Sequence, residues 1–190
     1  MSFGLSNFLP QSVFAKSYTI PSVEISIQLN HDGSASVTEN RTFDFDGNFT
    51  FAYQKINRIP DQSANPGRRE KYDLSNFQIC DQTTCFRRLQ NSEIRNADDL
   101  RPAQTFYVLE NNDNYYIKWF YRSSSQEKFI LKYQIDNAIT LHQDTAEFYW
   151  QLVGDEWELA QDKVTAQVKP PPSTNPDSIQ AWAHGPLGEP

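Results

Sequence analysis

Short segments of alternating apolar and polar residues, separated by turn signals, constrain the fold of this chain more than any other feature. In residues 17–30, the apolar side chains of Val23, Ile25 and Ile27 alternate with polar ones, which is the period of a half-buried strand. Asp32-Gly33 follows, and this dipeptide is a strong hairpin signal. The segment therefore predicts a strand, a tight turn and a returning strand.

The same pattern recurs along the chain, with almost no segment of helical period. Residues 91–104 are polar and are left open as one short helix or none. Short strands at regular spacing are typical of a sandwich. We therefore predict an all-β fold, an antiparallel β-sandwich of about nine or ten short strands with little helix. The predicted strands lie at about residues 17–30, 34–45, 49–53, 72–80, 85–89, 106–110, 115–122, 128–139, 146–153 and 164–169.

The strand at residues 34–45 carries two charged residues on its apolar face. Glu39 and Arg41 share that face with Val37 and Phe43. Either the two charges pair in a partly solvated place, or a β-bulge resets the register of the strand. We favour a bulge or an edge position.

Length and composition indicate one well-buried domain, or one domain plus an appendage. The chain has 190 residues, and its 13 Phe, 9 Tyr and 4 Trp supply large apolar area. Residues 1–16 are expected to form a flexible N-terminal segment and residues 17–170 the β-sandwich. Residues 171–190 are expected to be a linker or the truncated start of the next segment, because Pro170-Pro171-Pro172 cannot continue a hydrogen-bonded ladder.

The charge of the chain argues against two classes of partner. The net charge is -7 and the isoelectric point is near 4.9. A surface that binds phosphates needs the opposite sign, so we expect neither nucleic acid nor anionic lipid headgroups as partners. No run approaches the ~20 apolar residues that a membrane helix requires.

Two cysteines, Cys80 and Cys85, flank a four-residue polar turn. If they face each other across a tight hairpin, a disulfide can join them. No second cysteine pair or histidine pair accompanies them, so the spacing is not that of a zinc site. The alternatives are a disulfide, which would indicate an oxidising compartment, and two reduced cysteines.

Aromatic side chains are the candidates for a binding surface. The strand at residues 115–122 is aromatic on both faces, so one face can enter the core while something must cover Tyr116 and Phe120. The aromatic residues either build a large core or expose a stacking surface for sugars or a protein partner. The candidate ligand-binding residues are Trp119, Trp150, Trp157, Tyr149 and Tyr116.

No arrangement of residues points firmly to catalysis. Glu147 and Glu156 are carboxylates beside aromatic residues, as in a glycoside hydrolase, but adjacent carboxylates in a loop are usually only solvated. The turn at residues 44–48 lacks the spacing of a calcium loop. We therefore expect no enzyme, no catalytic residue, no metal and no cofactor.

Several segments together resemble the family named domain of unknown function 2207. The first resembling segment combines the Asp32-Gly33 turn, Val37-x-Glu39 in the returning strand and Phe45-Asp46-Gly47-x-Phe49. The others are residues 144–157, residues 164–170 and His184-Gly185-Pro186. The positions that the resemblance highlights look largely like turn and core positions; they are Asp32, Gly33, Glu39, Asp46, Gly47, Asp144, Glu147, Trp150 and Trp157.

The resemblance implies the N-terminal extracytoplasmic region of bacterial membrane proteins, anchored by C-terminal helices that are absent here. It implies no activity. The resulting expectation is an interaction or sensing module at the extracytoplasmic face of the cell membrane. Its partner would be a protein, possibly the missing C-terminal part of the same chain, or a cell-wall glycan. The alternatives are a carbohydrate-binding module for cell-wall glycans and, less favoured, a glycoside hydrolase.

Overall fold

The structure, a computed structural model, describes residues 16–63, 65–154 and 159–183. The expected flexible segment 1–16 lies almost entirely outside these residues. The all-β class is confirmed, since one α-helix accompanies eleven strands in the described chain. In chain order the elements are β1 (Ser17–Leu29), β2 (Ala35–Asp46), β3 (Phe49–Asn57), β4 (Leu74–Cys80), β5 (Arg87–Arg88), α1 (Asn91–Leu100), β6 (Thr105–Glu110), β7 (Asn114–Ser123), β8 (Glu127–Ile135), β9 (Ile139–Leu141), β10 (Ala146–Phe148) and β11 (Val164–Lys169).

Two large sheets and one small one contain the strands. The five-stranded sheet has the order β11-β1-β2-β8-β4, the four-stranded sheet has the order β3-β7-β6-β5, and β9 pairs with β10. Most neighbours are antiparallel, as predicted. However, β11 runs parallel to β1 and β5 runs parallel to β6, so the sheets are mixed.

The two large sheets pack face to face through one aromatic core, as a sandwich requires. Phe129 of the five-stranded sheet lies 5.7 Å from the ring of Trp119 and 4.6 Å from that of Tyr121, both in the four-stranded sheet. Phe77 and Tyr115 meet in the same way at 5.4 Å. The many aromatic residues of the sequence therefore serve mainly to form contacts between the sheets.

The bulge or edge position predicted for Glu39 and Arg41 is wrong. Strand β2 lies between β1 and β8, and its pairing with β8 runs without interruption from Ala35 to Phe43. Both charged side chains point into the core and bond to each other, Arg41 Nη2 to Glu39 Oε2 at 2.6 Å. Their mutual pairing, rather than a register change, explains the broken apolar pattern. The irregularity near this strand lies in β1, between Thr19 and Ser22.

One side of the sandwich, which we name the closed side, is formed by β4 and β5. The backbone N–H of Phe86 donates to the carbonyl of Ile79, which links the segment before β5 to β4. The predicted disulfide between Cys80 and Cys85 is confirmed and joins the same two segments. Asn76 has a φ of 55° where the register of β4 shifts. This edge is thus irregular and covalently fastened.

The opposite side, which we name the open side, is formed by β11 and β3. Phe49 of β3 packs on Tyr18 of β1 and on Phe45 of β2, so β3 lies over the β1–β2 half of the larger sheet. Strand β11 continues that sheet beyond β1, and all six of its residues are exposed. The five-stranded sheet therefore overhangs at this side.

Residues 171–183, which follow β11, lie on the surface. Among residues 171–183 there is one turn of 3-10 helix, Pro176–Ser178, and no buried residue. Helix α1, with ten residues, is too short to cross a bilayer, and no other helix in the described part of the chain has the required length and apolar character.

Candidate functional site

The five aromatic residues predicted to bind a ligand fall in different places. Trp119 is only 2% exposed and lies between the sheets, where it has no surface for a ligand. Trp150 packs against the core and meets the ring of Tyr72 edge-on at 5.0 Å. The carbonyl of Tyr149 accepts a hydrogen bond from the Tyr72 hydroxyl. Trp157 lies outside the described residues, which leaves Tyr116 as the member on an outer sheet face.

Helix α1 covers one half of the outer face of the four-stranded sheet. The second aromatic face of β7 was expected to need a cover, and α1 provides it. Phe120 is fully buried in a second small core under the helix. This core joins Phe120 and Tyr107 to residues of the helix region, Leu89 and Ala97. The polar sequence of the helix had left its existence open.

Two ion pairs, one near each end of α1, fix the helix on the sheet. Glu93 accepts a hydrogen bond from the backbone N–H of Gln90, which caps the first turn, and two from the guanidinium of Arg87. Farther along the helix, Asp98 pairs with Lys118 at 2.8 Å. Lys118 Nζ also lies 4.4 Å from the ring centre of Phe51. The helix therefore has one position on the sheet, and the uncovered half has a fixed boundary.

The uncovered half exposes the ring of Tyr53, and we name it the tyrosine face; it comprises Tyr53, Lys55, Leu109 and Tyr116. Tyr116 is half-buried, because it also packs against the small core under α1. The rings of Tyr53 and Tyr116 stack with their centres 5.5 Å apart and their planes 29° apart. Tyr53 is 36% exposed and Leu109 46%. The register places Lys55 directly opposite Tyr116. Stacked rings beside exposed apolar surface suit a flat ligand that combines apolar and hydroxyl-bearing surface.

Sequence reasoning included Tyr116 but missed Tyr53 and Leu109. The signal was present, because the alternation of residues 49–57 places Tyr53 on the same side as Phe51. The predicted strand ended at residue 53, whereas β3 extends to Asn57. The strand order β3-β7-β6 determines which residues of β3 and β6 adjoin Tyr116. The sequence does not specify that order.

A buried polar network lies inside the sandwich near its open side. The carboxylate of Glu39 accepts hydrogen bonds from Arg41 Nη2, from Gln54 Nε2 at 3.0 Å and from the Tyr133 hydroxyl at 2.7 Å. Arg41 Nη1 in turn donates to Gln161 Oε1 at 3.0 Å. The network joins β2, β3, β8 and the segment that leads into β11, so it fixes the relative positions of these elements.

The network also determines the protonation of Tyr133. Burial, together with the negative charge of Glu39, raises the pKa of the Tyr133 hydroxyl well above its ordinary value. The hydroxyl therefore remains a neutral donor across the physiological pH range. A carboxylate that already accepts three hydrogen bonds has little capacity for proton transfer, so the network suits a structural role.

Of the two carboxylates considered for glycoside hydrolysis, the structure describes only Glu147. Glu147 is exposed on β10 and lies 3.1 Å from His142 Nε2, while Glu156 lies outside the described residues. Among residues 16–63, 65–154 and 159–183, no three His, Cys, Asp or Glu side chains are grouped so that they could hold a metal ion.

Comparison with known protein families gives a match over most of the chain. The family described as the N-terminal domain of a predicted membrane protein, DUF2207, matches residues 19–190. No match was found among curated proteins. A solved structure titled as a putative protease from Parabacteroides distasonis is 10% identical, with a TM-score of 0.26 over 62% of this chain and 22% of that chain. So low a score supports no statement about fold or activity. The match over nearly the whole chain shows that this protein belongs to the DUF2207 family, as the N-terminal domain of a predicted membrane protein.

Proposed function

We propose that the domain is a non-catalytic interaction or sensing module on the extracytoplasmic face of a membrane-anchored bacterial protein. The tyrosine face carries this proposal. Helix α1 buries one half of the outer sheet face, whereas Tyr53 and Leu109 stay exposed on the other half. Exposed aromatic and aliphatic side chains that adjoin on a rigid sheet are typical of a binding surface.

Two further observations support the proposed location. The family is described as part of a predicted membrane protein, which makes a membrane anchor elsewhere in the full protein the natural expectation. The Cys80–Cys85 disulfide suits an oxidising compartment such as the outer side of the cytoplasmic membrane.

The ligand class that fits the tyrosine face best is a cell-wall glycan. The paired rings of Tyr53 and Tyr116 offer a platform for the apolar face of a sugar ring. At the end of the same two strands, Asn57 lies opposite Asn114, and their side-chain amides supply hydrogen-bond donors for sugar hydroxyls. A protein partner is the alternative occupant of this face.

The test is binding of soluble peptidoglycan fragments and cell-wall polysaccharides, measured by calorimetry and thermal shift. A glycan present at 100 times its Kd should stabilise the domain by about 2.7 kcal/mol. Tyr53→Ala and Tyr116→Ala should weaken binding at least tenfold. The control Trp182→Ala removes a highly exposed aromatic ring from the surface tail and should leave binding unchanged.

Two results would contradict the glycan assignment: no binding by the wild type, or equal binding by the tyrosine variants and the wild type. In the first case, a photo-crosslinking residue at position 53 in the full-length protein tests the protein-partner alternative. Release of reducing ends from cell-wall material, abolished by Glu147→Gln, would contradict the non-catalytic proposal itself.

A further inference from the structure

The overhanging strand β11 exposes apolar side chains on the side that normally faces a core. Val164, Ala166 and Val168 pair in register with Val23, Ile25 and Ile27 of β1, and the three β1 residues are buried. Paired residues project to the same face of a sheet. Val164 and Val168 are nevertheless 40% and 47% exposed, because the four-stranded sheet does not reach over β11.

The backbone of β11 is regular and is paired on one edge. The N–H of Val23 donates to the carbonyl of Lys163, so Lys163, Thr165 and Gln167 direct their backbone groups toward β1. Backbone direction alternates along a strand. The N–H and C=O groups of residues 164, 166 and 168 therefore point away from β1, and no strand of the described chain pairs with them.

Charged residues flank this edge. Lys163 and Lys169 are exposed, and within the described chain neither forms an ion pair. If two copies of β11 paired antiparallel over the full strand, centred on Ala166, Lys163 of each copy would lie opposite Lys169 of the other. Like charges directly opposite each other destabilise a strand pair. The two lysines therefore disfavour a second copy and favour an acidic partner. Two acidic residues, Asp162 and Glu24, also lie nearby, and Glu24 is already bonded to Lys128.

We propose that β11 is a docking edge for an extended polypeptide segment from another protein, which adds to the five-stranded sheet as a sixth strand. The segment carries apolar residues opposite Val164, Ala166 and Val168 and acidic residues opposite Lys163 and Lys169. Main-chain hydrogen bonds supply affinity, and the flanking charges set the register. The site lies on a different sheet from the tyrosine face, so each proposal can fail without the other.

The test uses the labelled heptapeptide Glu-Val-Thr-Val-Thr-Val-Glu and fluorescence polarisation. Antiparallel addition places its two glutamates opposite Lys169 and Lys163. The peptide with lysine at both ends should bind at least tenfold more weakly. In the protein, Ala166→Pro removes an outward N–H and no bond to β1, a position that an edge strand tolerates. It should reduce binding at least tenfold, whereas Ala166→Val, which keeps the N–H, should not.

Charge reversal keeps the test decisive if Ala166→Pro does not fold. The double variant Lys163→Glu/Lys169→Glu should lose the glutamate-flanked peptide and gain the lysine-flanked one. Exchange of preference together with the proline effect would establish strand addition at this edge. No binding of the glutamate-flanked peptide, or binding that neither Ala166→Pro nor charge reversal changes, would overturn the proposal.

Discussion

The closed side and the open side of the sandwich protect their edge strands in different ways. At the closed side, an irregular backbone at Asn76 and the Cys80–Cys85 disulfide end the sheet, and Ile79 is fully buried. At the open side, β11 is straight and exposed, and the core beneath contains the polar network around Glu39. Bulges and flanking charges are two known protections of sheet edges, and this domain uses one on each side. Only the closed side is blocked against pairing with a further strand.

Removal of Glu39 is expected to have the largest effect. Glu39→Ala takes away the acceptor that Arg41, Gln54 and Tyr133 share. Loss of one member of a buried charged network costs about 3–5 kcal/mol, measurable by urea unfolding. Glu24→Ala is the control, since it breaks the surface pair with Lys128 and should cost less than about 1 kcal/mol. Equal effects of the two substitutions would show that the open-side network is not important for stability.

A matched pair of truncations compares the two edges directly. Ile79→Ala in β4 creates a cavity at a fully buried position and should lower the free energy of unfolding by about 2–5 kcal/mol. Val168→Ala in β11 removes half-exposed surface and should cost less than about 1 kcal/mol. A large loss of stability in Val168→Ala would mean that β11 is covered in solution. It would contradict the distinction drawn between the two edges.

The disulfide makes a smaller, covalent contribution to the stability of the closed side. Replacing both cysteines by serine should reduce the free energy of unfolding by about 2 kcal/mol, the value expected from loop entropy for so short a ring. Chemical denaturation of the oxidised wild type and the double variant measures it. If the variant is as stable as the wild type, the bulge and the buried side chains close this side without the disulfide.

The smallest expected effect is a change in one titration at the closed side. The hydrogen bonds from Arg87, and then from the backbone of Gln90, lower the pKa of Glu93 from 4.5 to about 2. Because the folded pKa lies below the unfolded one, this contact stabilises α1 above about pH 4.5, and the stabilisation is lost as the pH falls toward 2. In carboxyl-detected NMR, Arg87→Ala should raise the pKa of Glu93 toward 4.5. An unchanged pKa would contradict the assigned contact.

Local sequence signals predicted most strands, because period-two alternation and Asp-Gly turns act within a few residues. The disulfide was predictable for the same reason, since Cys80 and Cys85 flank one turn. The strand order was not predictable. Alternation alone cannot show that β11 returns parallel to β1, or that β2 is central, and so Glu39 and Arg41 were assigned to a bulge instead of a buried pair.

The candidate site was only partly predictable. Tyr116 was identified because both faces of its strand are aromatic, but its neighbours on the tyrosine face come from distant segments of the chain. Helix α1 decides which aromatic residues stay exposed, and its polar sequence gave little indication that it would pack on Phe120. Burial of Trp119 follows from the facing sheet, which no local pattern specifies.

Amide hydrogen exchange of the free domain, followed residue by residue by NMR, tests most directly whether the open side is available for binding. We predict alternation along β11, with fast exchange at residues 164, 166 and 168 and protection at residues 165 and 167, whose N–H groups bond to β1. Phe86 on the closed side, whose N–H donates to the carbonyl of Ile79, should be protected. Uniform protection along β11 would contradict the account, because it would mean that another strand already occupies this edge.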